Sequence, residues 1–253
     1  MVVRLEDTTK VNALFDGWKE TLIDACLQKV MGTVYVTDSQ EPRAALCYVG
    51  CFGFFAGEPD AELARFDPGG FSILTPQNER WAALIEAVRP DAEKLTRYAI
   101  KKDTQFDADR LRRYLRLLPE GYELREIDGA LYGQCLAHPV TRDFVSVFGS
   151  KERFLRDGRG VVILKDGQIV SGASSYVRSL ETVELEVETL EPERRRGLAL
   201  AACSALILRC LGEGLYPSWD AANMASVCLA EKLGYELDHP YTAYAVSAHK
   251  RTH

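Results

Sequence analysis

The sequence predicts an α/β protein: a mixed central sheet flanked by helices, with a smaller α/β domain at the N-terminus. Three observations carry this expectation. Helical and strand-like patterns alternate through the first half of the chain. A hairpin, strand, helix, strand, helix, strand succession fills the second half, and the turn signal Leu118-Pro119-Glu120-Gly121 stands between them. A crossover helix between two strands makes them parallel neighbours, which gives a mixed sheet once a hairpin is added. The expected domains are residues 1–118 and 119–253.

Each element has its own signal. Leu14, Trp18, Leu22 and Cys26 recur every four residues, so one apolar stripe runs along a helix. Residues 32–37 and 45–56 read as strands, the second rich in aromatics. Trp81, Leu84, Ile85 and Val88 stand at helical spacing within 78–88, and Leu111, Tyr114, Leu115 and Leu118 repeat that pattern from 107. Beyond the turn, 122–127 reads as a strand, with short helices at 130–135 and 142–154. Asp166-Gly167 is a hairpin turn between 161–164 and 169–171, because both central residues tolerate positive φ. Residues 182–190 form a further strand, and a helix over 198–211 is stopped by Gly212 and Gly214. A short strand at 216–220, a helix over 223–233 ending at Gly234, and a last strand from Tyr235 complete the chain. No internal repeat is visible.

Composition removes several function classes. With 253 residues, 47% hydrophobic and 27% charged, the chain can bury a substantial core and is not disordered, collagenous or coiled-coil. A formal net charge of −6 argues against nucleic acid as a partner, since neutralising phosphates needs surplus Lys and Arg. The longest uncharged runs, 44–57 and 197–208, fall short of the roughly 20 apolar residues of a membrane span. Acidic Glu6 and Asp7 stand where a signal peptide would be apolar, so a cytoplasmic location is expected. The seven cysteines lack a CxxC pair and most sit among apolar neighbours, which reads as small buried side chains. His138 stands alone and His249 and His253 lie in a polar tail, so no metal is expected.

The most informative stretch runs from Glu186 to Ala199. A strand enters a turn of three arginines, Arg194, Arg195 and Arg196, and an apolar helix leaves it. Cations at a helix N-terminus are unfavourable by several tenths of a kcal/mol each. An anion arriving there would offset this, because free backbone N–H groups and the helix dipole both favour negative charge. Gly197 lets the backbone approach such a ligand, and Ala199 keeps the next turn clear. A solvated basic turn is the alternative reading of the same residues.

Arg194-x-x-Gly197-x-Ala199 between a strand and a helix resembles the acyl-CoA pyrophosphate loop of the GCN5-related N-acetyltransferases, Q/R-x-x-G-x-G/A. A second segment, Asn223-Met224-Ala225-Ser226-Val227-Cys228-Leu229-Ala230-Glu231-Lys232-Leu233-Gly234-Tyr235, looks like that family's later N-x-x-S-x-x-L-(Y/A)-E-K-L-G-(F/Y) segment. The resemblance covers roughly 120–248, and the whole chain is similar to a bacterial subgroup with an extra N-terminal domain. It implies acetyl-CoA as co-substrate and an amine-bearing, small-molecule acceptor. It further implies that Val187 to Thr189 pair with the pantetheine arm and that Arg194, Arg195, Arg196, Gly197, Leu198 and Ala199 hold the pyrophosphate. Asn223 and Ser226 match positions beside the pantetheine and thioester. Two departures stand out: Pro192 lies one residue closer to the glycine than in the family pattern, and the tyrosine often used to protonate the leaving thiolate would align with Ala230.

The base is read from the strand itself. Glu184, Glu186 and Glu188 alternate with Val183, Leu185 and Val187, so the carboxylates share one face. On a central strand that face should be apolar unless it borders a wet cleft. Glu188, nearest the loop, is the first candidate to deprotonate an ammonium, followed by Glu186 and by Asp220 on the neighbouring strand. Ser226 is the candidate donor to the leaving thiolate. Competing readings are a non-catalytic acyl-CoA-binding regulatory module, favoured by Ala230, and an interaction domain whose Arg194–Arg196 turn is paired internally with acids. The sequence leaves a homodimer open.

Overall fold

In the computed structural model, residues 1–247 are described, and His249 and His253 lie outside them. The chain divides into two compact units: Met1–Arg97 together with the segment from Pro240, and Tyr98–His239.

The first unit begins with β1 (Val3–Arg4), a 3-10 segment (Thr8–Phe15) and α1 (Thr21–Leu27). The apolar stripe expected as one helix is thus two pieces, because Gly17 takes a positive φ of 78° and turns the chain between them. β2 (Thr33–Val36), β3 (Ala44–Val49) and β4 (Phe52–Gly57) follow as an antiparallel meander that starts on β1. The single strand expected over 45–56 is therefore a hairpin. Gly50, at φ 61°, occupies the first central position of its two-residue turn, where the type II′ geometry needs a glycine. Next come α2 (Ala61–Arg65), β5 (Ser72–Pro76), parallel to β4, and α3 (Glu79–Val88). Asn78 caps α3 by accepting from the Arg80 and Trp81 amides. Trp81 and Ile85, at helical spacing, are fully buried, and the Trp81 ring stacks on Phe55 at 4.9 Å.

β6 (Glu93–Ile100) carries the chain into the second unit, and α4 (Ala108–Leu115) follows, capped by Asp107. β7 (Tyr122–Glu126), α5 (Gly129–Ala137) and α6 (Lys151–Asp157) precede a meander of β8 (Gly160–Lys165), β9 (Gln168–Arg178) and β10 (Thr182–Thr189). The β8–β9 turn has Asp166 and Gly167 at φ 50° and 75°, the type I′ pattern that the dipeptide predicts. α7 (Leu198–Gly212) crosses to β11 (Tyr216–Ser218), parallel to β10, so the sheet runs β11-β10-β9-β8-β7. β12 (Asp220–Ala221), α8 (Met224–Leu233) and β13 (Leu237–Val246) end the described chain. The architecture is the mixed α/β fold that the sequence predicts.

The division differs from the boundary expected at Leu118. Residues 118–121 do turn, with Gly121 at φ 84°, but the turn lies inside the second unit. The cause is burial: Ile100 and Leu111 sit in the same core as Ala202, Cys203, Leu206 and Ile207 of α7. In the other direction, Tyr244, Ala245 and Val246 of β13 pair with β5 and belong to the first unit. A fragment beginning at residue 119 is therefore expected to be non-native. It lacks Ile100 and Leu111, each worth about 2–5 kcal/mol when removed from a core, against about 5–15 kcal/mol of total stability. Loss of near-ultraviolet circular dichroism, with protease resistance no better than that of an unfolded chain, is the expected measurement. A cooperatively melting fragment would contradict it.

Candidate active site

The site is built around the second half of β10. On one side β10 pairs with β9 as far as Thr189↔Ser171, whereas its ladder to β11 ends at Glu184↔Ser218. After Ser218 the chain changes partner: Asp220 and Ala221 pair with Ala99 and Tyr98 of β6 instead. The two parallel strands thus part beyond Glu184. Several contacts hold them so. Lys102 Nζ donates to Ser218 Oγ (2.8 Å) and the Trp219 carbonyl (3.1 Å), and the buried Tyr235 hydroxyl donates to the Pro217 carbonyl (2.8 Å). A register shift between Glu184 and Leu185 places an extra β9 residue, Tyr176, at the same level, and such a bulge bends the strand.

The alternation read from the sequence is present on β10. Val183 and Leu185 are buried in the α7-side core with Val187 packed against it. Glu184 is buried and Glu186 and Glu188 are partly buried. Facing Glu188 on β9 is Gly172, where an added Cβ would sit 2.7 Å from the Phe144 ring, so the segment around Phe144 covers this face. Ser174 Oγ, two residues further along β9, donates to the Phe144 carbonyl at 2.6 Å. Burial pushes the Glu188 carboxyl above its ordinary pKa. The Thr189 amide and the Arg194 charge pull it down, and Asp143 pushes it up. Asp220 is carried on β12 and so is not on the strand that neighbours β10, as the sequence reading had it.

Beyond Thr189, Pro192 lies within a 3-10 turn (Glu191–Glu193), which takes up the shortened spacing to Gly197. Glu193 is the anchor of the turn. It accepts from the Tyr122 hydroxyl on β7 and pairs with Lys165 at 2.7 Å on β8 and with Arg196 at 3.1 Å. Arg194 Nε donates to the Thr189 carbonyl at 3.2 Å. Arg195 has a left-handed φ of 60° and Gly197 one of 80°, so the exposed turn wraps tightly before α7 begins at Leu198. No side chain caps α7, in contrast to α5, α6 and α8, which Asp128, Ser150 and Asn223 cap. Its first amides therefore face a basic, exposed turn, which is an anion-binding arrangement. Leu198 is buried and fixes the helix start, while Ala199 is half-buried. Of the three arginines, only Arg196 is ion-paired with an acid among the described residues.

The α8 residues have specific roles. Asn223 accepts from the Ser226 amide as N-cap of the helix. Ser226 Oγ accepts from the Trp219 indole at 3.0 Å, which orients the hydroxyl and leaves its own proton to be donated elsewhere. Ala230 is fully buried in the core between α7 and α8. A phenol at this position has no room in the present packing. Tyr244 is buried in the first unit and donates to Glu86 at 2.6 Å. The sequence reading missed Lys102, Asp143 and the Trp219–Ser226 bond. Lys102 follows a strand as one of two adjacent lysines, and no local signal sets it apart.

No group of three or more His, Cys, Asp or Glu side chains among the described residues could hold a metal ion. No helix there is long and apolar enough to cross a membrane. Residues 12–244 match the GNAT acetyltransferase family. An uncharacterised N-acetyltransferase, YdfB of Bacillus subtilis strain 168, is 25% identical over 233 residues, which are 86% of each chain. The crystal structure of a GCN5-related N-acetyltransferase-like protein from Streptococcus suis superposes with a TM-score of 0.89 at 47% identity, over 94% of this chain and 98% of that one. A tandem GNAT protein from the clavulanic acid biosynthesis pathway shares the fold, with a TM-score of 0.57 at 12% identity and 98% coverage of both chains. With the parted strands and the uncapped helix behind a basic turn already in place, the match along nearly the whole chain settles the relationship: this protein is an acetyltransferase and belongs to the GNAT family.

Proposed function

We propose that the protein transfers an acetyl group from acetyl-CoA to the amine of a small-molecule acceptor. One observation carries the reading: β10 loses its β11 ladder after Glu184, five residues before the strand ends at Thr189, and the arginine turn that follows leads into an uncapped α7. Val187 and Thr189 lie on the strand edge where a pantetheine amide can add like a further strand. Backbone N–H groups at Gly197, Leu198 and Ala199, with Arg194, Arg195 and Arg196 around them, receive the pyrophosphate. The fit is chemical: a diphosphate answers both the open amides and the surplus of cations.

Glu188 takes the proton from the acceptor ammonium, directly or through one water, and burial, by raising its pKa above the ordinary carboxylate value, makes it a stronger base for that step. The amine nitrogen then bonds to the thioester carbonyl carbon, and the C–S bond breaks. Ser226 can donate a hydrogen bond to the departing sulfur, with its orientation fixed by Trp219. A thiol of reference pKa about 8.5 leaves without full proton transfer at neutral pH, so a strong acid is not required. That meets the objection raised by Ala230, which had favoured a non-catalytic regulatory module. The carboxylates of Glu186 and Glu188 favour a cationic amine as acceptor. The free thiols of Cys26, Cys47, Cys135, Cys203 and Cys210, all buried, fit a reducing cytoplasm.

The test is thermal stability with acetyl-CoA, CoA and longer acyl-CoAs, followed by thiol release with a panel of amines. Acetyl-CoA at 100 times its Kd is expected to add about 2.7 kcal/mol of stability. An unchanged midpoint at millimolar acetyl-CoA would defeat the donor assignment. Within the same reading, Ser226→Ala is expected to lower kcat only about tenfold. It also leaves the buried Trp219 indole without an acceptor, at a cost of about 1–3 kcal/mol of stability. A loss of all turnover with acetyl-CoA binding intact would make Ser226 the required acid.

A further inference from the structure

Apart from α4 and the short β12, the order of elements in the second unit repeats that of the first. β1, two helical segments, and the antiparallel meander β2-β3-β4 are followed by α2, then β5 parallel to β4, then α3 and β6. β7, helical segments ending in α6, and the antiparallel meander β8-β9-β10 are followed by α7, then β11 parallel to β10, then the two-residue β12, which continues β11 past Trp219, then α8 and β13. In both, the first strand also pairs antiparallel with the second. The last strands are exchanged. β13, which follows α8, pairs with β5, while the end of β6, which follows α3, pairs with β12.

The position equivalent to the donor site is closed in the first unit by three features. First, β4 stays paired to β5 from Phe52↔Ile73 through Phe55↔Pro76, and the Gln77 amide still donates to the Phe55 carbonyl beyond that. Second, only residues 58–60 connect β4 to α2, compared with 190–197 between β10 and α7. Third, Asp60 Oδ1 accepts from the Glu62 and Leu63 amides at 2.8 and 2.9 Å, and Glu58 and Glu62 flank it. The helix end that is open and basic in the second unit is thus capped and acidic in the first, where a pyrophosphate would be repelled.

We propose that the chain is an internal duplication of one acetyltransferase topology with exchanged last strands, and that the first copy has its donor cleft closed, leaving a single acyl-CoA site per chain at α7. Sequence comparison of the halves shows no repeat because what is shared is the pairing order, and the site residues of the first copy have diverged to acids. The first copy then serves as scaffold, lending its last strand to β12 and receiving β13. The site count rests on the proposed acetyl-CoA reading, but the closed seam does not.

Hydrogen exchange of the whole chain separates the two. Without ligand, amides of residues 52–55 and 73–75 should exchange slowly as one class. About half of those in 185–190 should exchange roughly 100-fold faster or more, because one side of that strand has no ladder. Fast exchange across the β4–β5 seam would overturn the proposal. With saturating acetyl-CoA, new protection is expected across 185–200 and none across 52–64. Protection in 52–64, or two acetyl-CoA bound per chain in equilibrium dialysis, would also overturn it. No new protection anywhere would defeat the donor reading, and the ligand-free arm would still decide whether the first cleft is closed.

Discussion

Glu188→Gln is expected to lower acetyl transfer about 100-fold while acetyl-CoA binding is retained, since removing a positioned general base typically costs 10²–10⁴. The amide keeps the size and much of the hydrogen bonding of Glu188 but cannot accept the ammonium proton. The pH profile identifies the group. Burial raises the Glu188 carboxyl above its ordinary 4.5, so the basic form accumulates as pH rises through that higher value. Wild-type kcat should therefore climb across an acidic limb above pH 4.5, and Glu188→Gln should flatten that limb. Stability gives an independent sign. A carboxyl with a raised pKa binds protons more tightly in the folded state, so it costs stability once pH passes its unfolded value. Glu188→Gln should consequently melt higher than wild type at neutral pH, and the gain should vanish as pH falls below about 4.5. If Glu188→Gln, Glu186→Gln and Asp220→Asn, made separately, all turn over like wild type, no carboxylate on these strands is the base.

The sequence shows the faces of its elements far better than their partners. The period of two along Thr182–Thr189 tells which side of β10 carries Glu184, Glu186 and Glu188, and the structure has that alternation. The turn chemistry of Asp166-Gly167 and the open N-terminus at Gly197 are equally local, and both are present. Partner choice is not local. A stretch such as Tyr216 to Asp220 reads as one strand whichever neighbour it pairs with. The break at Trp219 depends on Lys102, more than a hundred residues earlier in the chain, and on β6. Likewise nothing in 241–246 says that these residues complete the first unit, so a boundary drawn from the turn at Leu118 misses the exchange. The breaks at Gly17 and Gly50 were legible in principle, since each is a glycine inside an apolar pattern. They were outweighed by the periodicity on either side.

Gly197→Asp is expected to abolish stabilisation by acetyl-CoA with only a modest change in the protein alone. At Gly197 an added Cβ meets nothing within 4 Å, so no clash disturbs the ligand-free fold. The remaining cost is the φ of 80°, which Asp tolerates better than most residues, at roughly 1 kcal/mol. An aspartate at the N-cap can also accept from the first amides of α7, as Asp128 does for α5, and offset part of that strain. The same contact is what should defeat the ligand. The carboxylate would occupy the amides that receive the pyrophosphate and place a negative charge against it, as Asp60 already does at the start of α2. A midpoint shift that reflects about 2.7 kcal/mol in wild type at 100 times Kd should fall to nearly nothing. Gly197→Ala supplies the control: it carries the strain of the positive φ without the charge or the cap. It should therefore melt lower than wild type yet keep most of its response to acetyl-CoA. Equal stabilisation of wild type and Gly197→Asp would remove the Arg194–Ala199 turn from the donor site. Loss of response in Gly197→Ala as complete as in Gly197→Asp would show that backbone geometry, and not the open helix end, governs binding.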